Sequence, residues 1–355
     1  MKDDSMGEKQ TTVTFGVIAY NEHRYLPDLL KDLLNQTYNK KFIEVILVDG
    51  GSTDDTYEIM ADFQNNHRNE YRKIMVLDNP KRIQPAGWNV VIRNSTADLL
   101  LRIDAHARLP EDFIESNIEC IDSGEFICGG PRENIIDENT SWKQMLLTAE
   151  QSMFGSGIAS YRKETKTKKY VKSLFHGAYR KEVIEKVGLF NENLIRTEDN
   201  EYHYRILKEG YQICYDPHIH SYYQTRSSLR GMLKQKFQNG VWIGKTLFVC
   251  VGCVSVFHLV PFVFVIAVLG TVLLGGCGMY WPAMLLWIAY ATANFSMTVL
   301  AVVNKNKKNP MLLLLPIIFL LLHVGYGLGT GIGLLEGTIE ILGRKNKYDE
   351  SIESR

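Results

Sequence analysis

"DLLLRIDAHARLP", residues 98–110, decides the fold. Leu99 to Ile103 is apolar but for Arg102, which reads as a strand buried on both faces, the kind found inside a parallel sheet. The run ends in Asp104, then Ala105 and His106, and Pro110 opens a helix. Residues i and i+2 of an extended chain point the same way, so Asp104 and His106 can face one ion. The plainer reading is a strand-end acid capping the next helix, with His106 packed against it.

Working outward, the same pattern recurs. "VTFGVIA" (13–19), "IEVILVD" (43–49) and "KIMVLDN" (73–79) are short apolar runs. Between them stand helical stretches, one with Leu26, Leu29, Leu30, Leu33 and Leu34 at helical spacing, another opening at "STDDT" with Ser52 as the expected cap. Strand–helix alternation at this spacing predicts an α/β fold with a mostly parallel, doubly wound sheet and flanking helices. Ligands of such sheets sit at the carboxyl ends of the strands, where Tyr20-Asn21-Glu22, Asp49-Gly50-Gly51-Ser52 and Asp104-Ala105-His106 all fall. Gly87 and Asn89, in "QPAGWN", offer a close approach and an amide partner. Farther on, "SLFHGAY" reads as a strand, and "TEDNEYHYRILKEG" as a helix opened by Glu198 and Asp199. Residues 155–173, rich in Gly, Ser and Lys, read as a mobile loop.

Lys+Arg and Asp+Glu each number 40 in the 355 residues, so the formal charge is zero. That excludes a bulk nucleic-acid binder, which needs a cationic surplus. Cys120, Cys128 and Cys214 read as small packed side chains rather than a disulfide framework. Cys250-x-x-Cys253 lacks the second ligand pair of a zinc site. The amino-terminal stretch is polar without a signal-peptide core, so the first half is expected in the cytosol.

Beyond Leu247 the chain turns hydrophobic. Residues 227–246 set Leu229, Leu233 and Phe237 on one face among Arg230, Lys234 and Lys236, as a basic amphipathic helix lying on a membrane would. Stretches at about 251–276, 283–303 and 311–335 each reach the roughly 20 residues needed to cross a bilayer. The cationic "NKNKKN" (304–309) is expected on the cytoplasmic side. The third stretch is expected to cross fully or to be partly interfacial, and Gly325, Gly329 and Gly333 form a stripe favouring close helix packing.

Together and in order, "AYNEHRYL", "VDGGSTDDT", "NPKRIQPAGWN", "RIDAHARLP" and "GAYRKEVIEKVGLFNENLIRTEDNEYHYRILKEGY" resemble family 2 inverting glycosyltransferases of the GT-A fold. The resemblance is to the membrane-attached, succinoglycan-biosynthesis ExoA type and runs from about Val13 to Trp242. Ala19 stands where Pro is usual, and Gly50 replaces a second Asp.

The resemblance implies donor-nucleotide contacts from Ala19, Tyr20, Glu22, Asp49, Gly87, Asn89 and Asp104. It implies a divalent metal, Mn2+ or Mg2+, at Asp104 and His106. Asp199 would be the general base, with Glu198 beside it as the second catalytic residue, and Gly177, Arg226, Gln238 and Trp242 would lie on the acceptor side. For His106, direct ligation, donation to the diphosphate and packing all remain open. The expected organisation is a tail (1–12), a cytosolic GT-A domain (13–226), an interfacial helix (227–246), a transmembrane region (247–343) and a polar tail (344–355). The implied activity moves a single sugar from a nucleotide-sugar donor, expected to be UDP-linked, to a lipid-linked (polyprenyl pyrophosphate) saccharide in exopolysaccharide or cell-surface polysaccharide assembly. Its place would be the inner membrane, as a multi-pass protein with a cytoplasmic catalytic domain. A processive synthase and a non-catalytic partner of the same fold are the alternatives. Processive synthases carry Gln-x-x-Arg-Trp where this chain has Gln238 to Trp242 with Val241 in the Arg place, which argues for single addition. The basic positions Arg162, Lys163, Lys166, Lys168 and Lys169 would suit a lipid pyrophosphate or form a solvated loop.

Overall fold

A computed structural model describes residues 10–155, 166–303 and 309–353, with side chains from 344 onward left aside. In chain order the elements are β1 (Val13–Ala19), α1 (Leu26–Leu34), β2 (Ile43–Asp49), α2 (Thr56–His67), β3 (Lys73–Asp78), α3 (Gln84–Asn94), β4 (Leu99–Asp104), β5 (Ala107–Arg108), α4 (Phe113–Asp122), β6 (Ile127–Gly129), β7 (Arg132–Ile135) and α5 (Ser141–Gln151). They continue as β8 (Lys169–Val171), β9 (Gly177–Arg180), α6 (Lys181–Val187), α7 (Glu198–Lys208), β10 (Ile213–Tyr215), β11 (Ser221–Gln224), α8 (Leu229–Thr246), α9 (Val260–Gly276), α10 (Trp281–Val303) and α11 (Leu315–Glu353). They gather into two compact units. The first is drawn from Met1–Glu133, Lys163–Glu198 and Tyr202–Gln224, the second from Asn134–Arg162, Asp199–Glu201 and Thr225–Arg355.

The first unit is built on an eight-stranded sheet of order β3-β2-β1-β4-β9-β6-β10-β8. β3, β2, β1 and β4 run parallel. β9 enters antiparallel between β4 and β6, and β8 closes the far edge antiparallel to β10. A small second sheet has the order β5-β11-β7. β1, β2 and β4 are buried on both faces, as their unbroken apolar runs require. Leu26, Leu29 and Leu33 of α1 pack with Phe113, Ile114 and Ile121 of α4 into the same core. Glu44, a buried acid near the start of β2, is held by Thr14 Oγ1 and Thr96 N, each donating over 2.9 Å.

Two local expectations shift. Ser52 does not cap a helix: its Oγ accepts from Asn21 N, and α2 starts four residues later at Thr56. Pro110 does not open α4, which starts at Phe113; its carbonyl instead accepts from Gln36 Nε2 at 2.7 Å. Cys120, Cys128 and Cys214 are buried free thiols as expected, whereas Cys250 and Cys253 are joined by a disulfide.

In the second unit α8 lies against α11. A Cβ on Gly240 would stand 2.1 Å from the Tyr326 carbonyl, and one on Gly333 would stand 2.0 Å from that of Val241. Gly329 and Gly333 of the expected stripe thus make room for α8, while Gly325 faces open space. Lys236, placed by sequence on the cationic border of α8, is instead buried and paired with Glu150 Oε2 at 3.0 Å. Met145, Leu146 and Ala149 of α5 pack with Met232, Leu315 and Phe319, which is why α5 clusters here despite its place in the sequence. Two helical stretches, Trp281–Val303 and Pro310–Gly343, are long and apolar enough to cross a membrane. The first hydrophobic stretch is broken into short turns before α9, whose 17 residues make a shorter apolar helix. The basic loop and "NKNKKN" fall largely outside the described residues; of the loop's lysines, Lys168 bonds Asp216 at 3.1 Å and Lys169 lies over the Tyr215 ring.

The acidic turn after β4 is tied down by a fork. Arg108 Nε and Nη2 donate to Asp32 Oδ2 and Oδ1 at 2.7 and 2.9 Å, and Leu109 N adds a third bond at 3.0 Å. Asp32→Ala strands these donors and should cost about 2–3 kcal/mol, measured as a fall in the unfolding midpoint of the purified protein.

Candidate active site

Register places the polar turns together. Ala19 pairs with Asp49, and Ile18 with Asp104, so β1, β2 and β4 end side by side. The first two turns are laced into a rim. Gly50 N donates to the Ala19 carbonyl at 2.7 Å, Glu22 N to Thr56 Oγ1 at 2.8 Å and Thr53 N to Asn21 Oδ1 at 2.8 Å. Asn21 takes φ 55, a left-handed conformation that Asn tolerates better than most residues. Burial opposes ionisation of Asp54, but bonds from Thr56 and His23 hold its pKa at about 2, so the rim keeps this charge.

Asp49 uses its carboxylate to close its own turn, accepting from Gly51 N at 2.9 Å and Ser52 N at 3.0 Å. Gly51 adopts φ +80, and a Cβ there would stand 2.6 Å from Arg82 Nε. The exposed Arg82 therefore lies across the Asp49 turn, itself at φ 53. Sequence reasoning passed over Arg82; the only signal was a basic residue in the loop after β3. Tyr20 is 59% exposed on the same rim.

At the end of β4, His106 Nδ1–H donates to Glu22 Oε1 at 3.0 Å. The ring meets Tyr223 edge-on at 4.8 Å. Nε2 is buried with no hydrogen-bond partner. A carboxylate fixing Nδ1–H leaves the Nε2 lone pair for a cation, the usual arrangement around a metal-binding histidine. Burial works against charge on this ring, yet Tyr223, Glu22 and Asp104 outweigh it and raise its pKa to about 9. Near neutral pH Nε2 therefore carries a proton, which a bound cation would have to displace. Among the described residues no group of three or more His, Cys, Asp or Glu side chains could hold a metal ion. A carboxylate and one orphaned imidazole nitrogen therefore suit a cation that completes its shell from a ligand's oxygens.

Two further buried groups border the turn. The Arg132 guanidinium carbon lies 4.1 Å from the Phe175 ring centroid and 4.2 Å from that of Tyr223. His176 Nδ1 is 2.9 Å from Ser221 Oγ, and burial, with help from Arg132, drives its pKa down to about 3. The imidazole is therefore neutral. Neither residue stood out in the sequence, since a lone Arg or His in an apolar strand carries no signal of what folds over it.

Several expected site residues do other work. Asn89 is buried, and its amide is committed to Phe190 N and O and to Glu192 Oε1, at 2.8 to 3.0 Å. It staples α3 to the segment before α7. A Cβ on Gly87 would meet Ile18 Cγ2 at 3.0 Å, so this glycine lets α3 close on β1. Gly177 pairs with Arg102 within the sheet, and a Cβ there would meet the Tyr179 hydroxyl at 2.8 Å. Glu198 is buried and ion-paired with Arg102, whereas Asp199, the next residue, is partly exposed. Arg226, Gln238 and Trp242 belong to the second unit. Gln238 and Trp242, one turn apart, share a face of α8.

A mostly parallel sheet with flanking helices and an acidic turn at its carboxyl edge is a GT-A-like architecture. Residues 14–188 match the family described as Glycosyl transferase family 2, and the chain carries a family 2 glycosyltransferase domain. It is 28% identical over 325 residues to a dolichyl N-acetyl-alpha-D-glucosaminyl phosphate 3-beta-D-2,3-diacetamido-2,3-dideoxy-beta-D-glucuronosyltransferase of Methanococcus voltae, covering 90% of this chain and 96% of that one. It is also 28% identical over 244 residues to the succinoglycan biosynthesis protein ExoA of Rhizobium meliloti (66% of this chain, 71% of that one). In fold it is similar to the mannosyltransferase PcManGT from Pyrobaculum calidifontis, solved with GDP-Man and Mn2+ (TM-score 0.63, 16% identity, 92% of this chain and 88% of that one).

Gly51→Ala would force a side chain into a left-handed turn against Arg82. The expected cost is about 1–3 kcal/mol, read as a lowered melting temperature with an otherwise native circular dichroism spectrum.

Proposed function

We propose that the protein is a membrane-anchored, metal-dependent, inverting glycosyltransferase that adds one sugar from a nucleotide-sugar donor to a lipid-linked acceptor. The observation that carries this reading is the buried, unpartnered Nε2 of His106, oriented by Glu22 beside Asp104 at the carboxyl edge of a family 2 domain.

In this account Tyr20, the Asp49 turn and Arg82 receive the nucleoside. Asp104 and His106 would hold the cation, which when bound would supply Lewis-acid stabilisation of the departing diphosphate's charge. Asp199 accepts the proton of the attacking acceptor hydroxyl. A single displacement of this kind inverts the anomeric carbon, by the logic of one-step glycoside hydrolysis. Glu198, engaged with Arg102, is not assigned to the proton transfer. Arg132 adds a fixed positive charge near the site.

A lipid-linked acceptor is supported by the Methanococcus voltae relative, whose name specifies a dolichyl-linked phosphate, and by the two apolar helices. Single addition is supported by Val241. It is buried, and its carbonyl lies where a Cβ on Gly333 would collide, so this stretch of α8 serves helix packing. A multi-pass topology with the catalytic domain in the cytoplasm completes the proposal.

Two measurements test it. Membrane lipids incubated with the protein and a panel of nucleotide sugars should gain the mass of one sugar in mass spectrometry; a ladder of additions would establish a processive synthase instead. His106→Ala should raise the Mn2+ concentration needed for half-maximal turnover by about 10-fold or more, in line with loss of a tuned ligand. An unchanged Mn2+ titration would remove His106 from the metal site.

A further inference from the structure

A buried ion pair underlies the proposed reaction centre. Arg102 Nη2 lies 3.2 Å from Glu198 Oε1, with side chains only 7% and 2% exposed. The guanidinium carbon sits 5.0 Å from the Trp88 ring centroid and 5.4 Å from that of Phe190. Tyr202 stacks on Phe190 at 4.1 Å. The pair is walled by aromatic rings.

Withdrawing two charges from water costs several kcal/mol per ion, and apolar residues of equal volume often hold such elements as well or better. Stability alone is a poor reason for this pair. What it does supply is direction. Arg102 stands two residues before Asp104 on β4, and alternate residues of a strand share a face. Glu198 stands one residue before Asp199, at the start of α7. The guanidinium is planar and offers its donors in a fixed fork, and the rings on either side limit its rotation. The bond therefore sets where the first turn of α7 begins relative to the strand that ends in Asp104. Displacing a reacting group by about 1 Å can cost on the order of 100-fold in rate.

We propose that Arg102 is a positioning residue for sugar transfer, acting through Glu198 to fix the backbone that presents Asp199. The proposal rests on the reading of Asp199 as the proton acceptor. It also explains the Glu-Asp pair itself: the first acid anchors and the second reacts.

The test uses the full-length protein in detergent with Mn2+. It follows release of nucleoside diphosphate from UDP-glucose, UDP-N-acetylglucosamine, UDP-glucuronic acid and GDP-mannose. Glu198→Asp keeps the charge but withdraws the carboxylate by one methylene; the double variant Arg102→Met/Glu198→Leu replaces the pair with apolar side chains. Both should lose at least 10-fold in kcat, with donor KM within twofold of the parent and the acid limb of the pH–rate profile displaced. The double variant should melt no lower than the parent. Wild-type kcat in either variant overturns the proposal, and Glu198→Asp decides alone if the double variant fails to fold. Asp199→Asn separates the two levels. If it is inactive while the pair variants turn over normally, only the positioning role falls. If it turns over normally, the assignment of the base falls and the positioning role with it.

Discussion

The site depends on the parallel register of three strands. Ala19 opposite Asp49 and Ile18 opposite Asp104 bring three turns, far apart in sequence, to one edge. A slip of one residue would turn every side chain of a strand to its other face, carrying Asp104 away from His106's partner Glu22. β1, β2 and β4 are buried on both faces, and the bonds that buried Glu44 of β2 accepts from Thr14 and Thr96 tie that strand to its surroundings. The Asp32–Arg108 fork and the bonds between the first two turns then hold the edge locally.

Around this edge, polar residues divide into those left partly open and those engaged with other residues of the protein. Tyr20, Arg82 and Asp104 are at least partly exposed. Glu22, Asn89, Arg102 and Glu198 spend their polar atoms on other residues of the protein. The second unit applies the same economy differently. Glycines on α8 and α11 permit backbone contact, and the buried Lys236–Glu150 pair ties α8 to α5.

Much of the fold was legible because its strands are apolar runs of the right length separated by helical periodicity. The strand that ends in Asp104 was legible from its apolar run, but strand alternation does not carry on to His106, because Ala105 and His106 form a turn between β4 and β5. The role of Asn89 was not: its partners lie about a hundred residues away, at Phe190 and Glu192. Only the resemblance set Asp199 apart from Glu198, because two adjacent acids look alike in sequence until a partner such as Arg102 engages one. Lys236 misled for the same reason, since an acid on another helix let it be buried. The break before α9 was hidden too, because hydropathy measures apolarity and not helical continuity.

The central claim is that Asp104 and His106 Nε2 grip the cation of the donor complex. The most direct measurement is a structure of the protein with UDP and Mn2+, with the metal located by anomalous scattering at the manganese edge. The account places the anomalous peak within bonding distance of the Asp104 carboxylate and His106 Nε2, with Nδ1 still donating to Glu22. A peak held by other residues, or His106 turned so that Nε2 points away from it, would contradict the account.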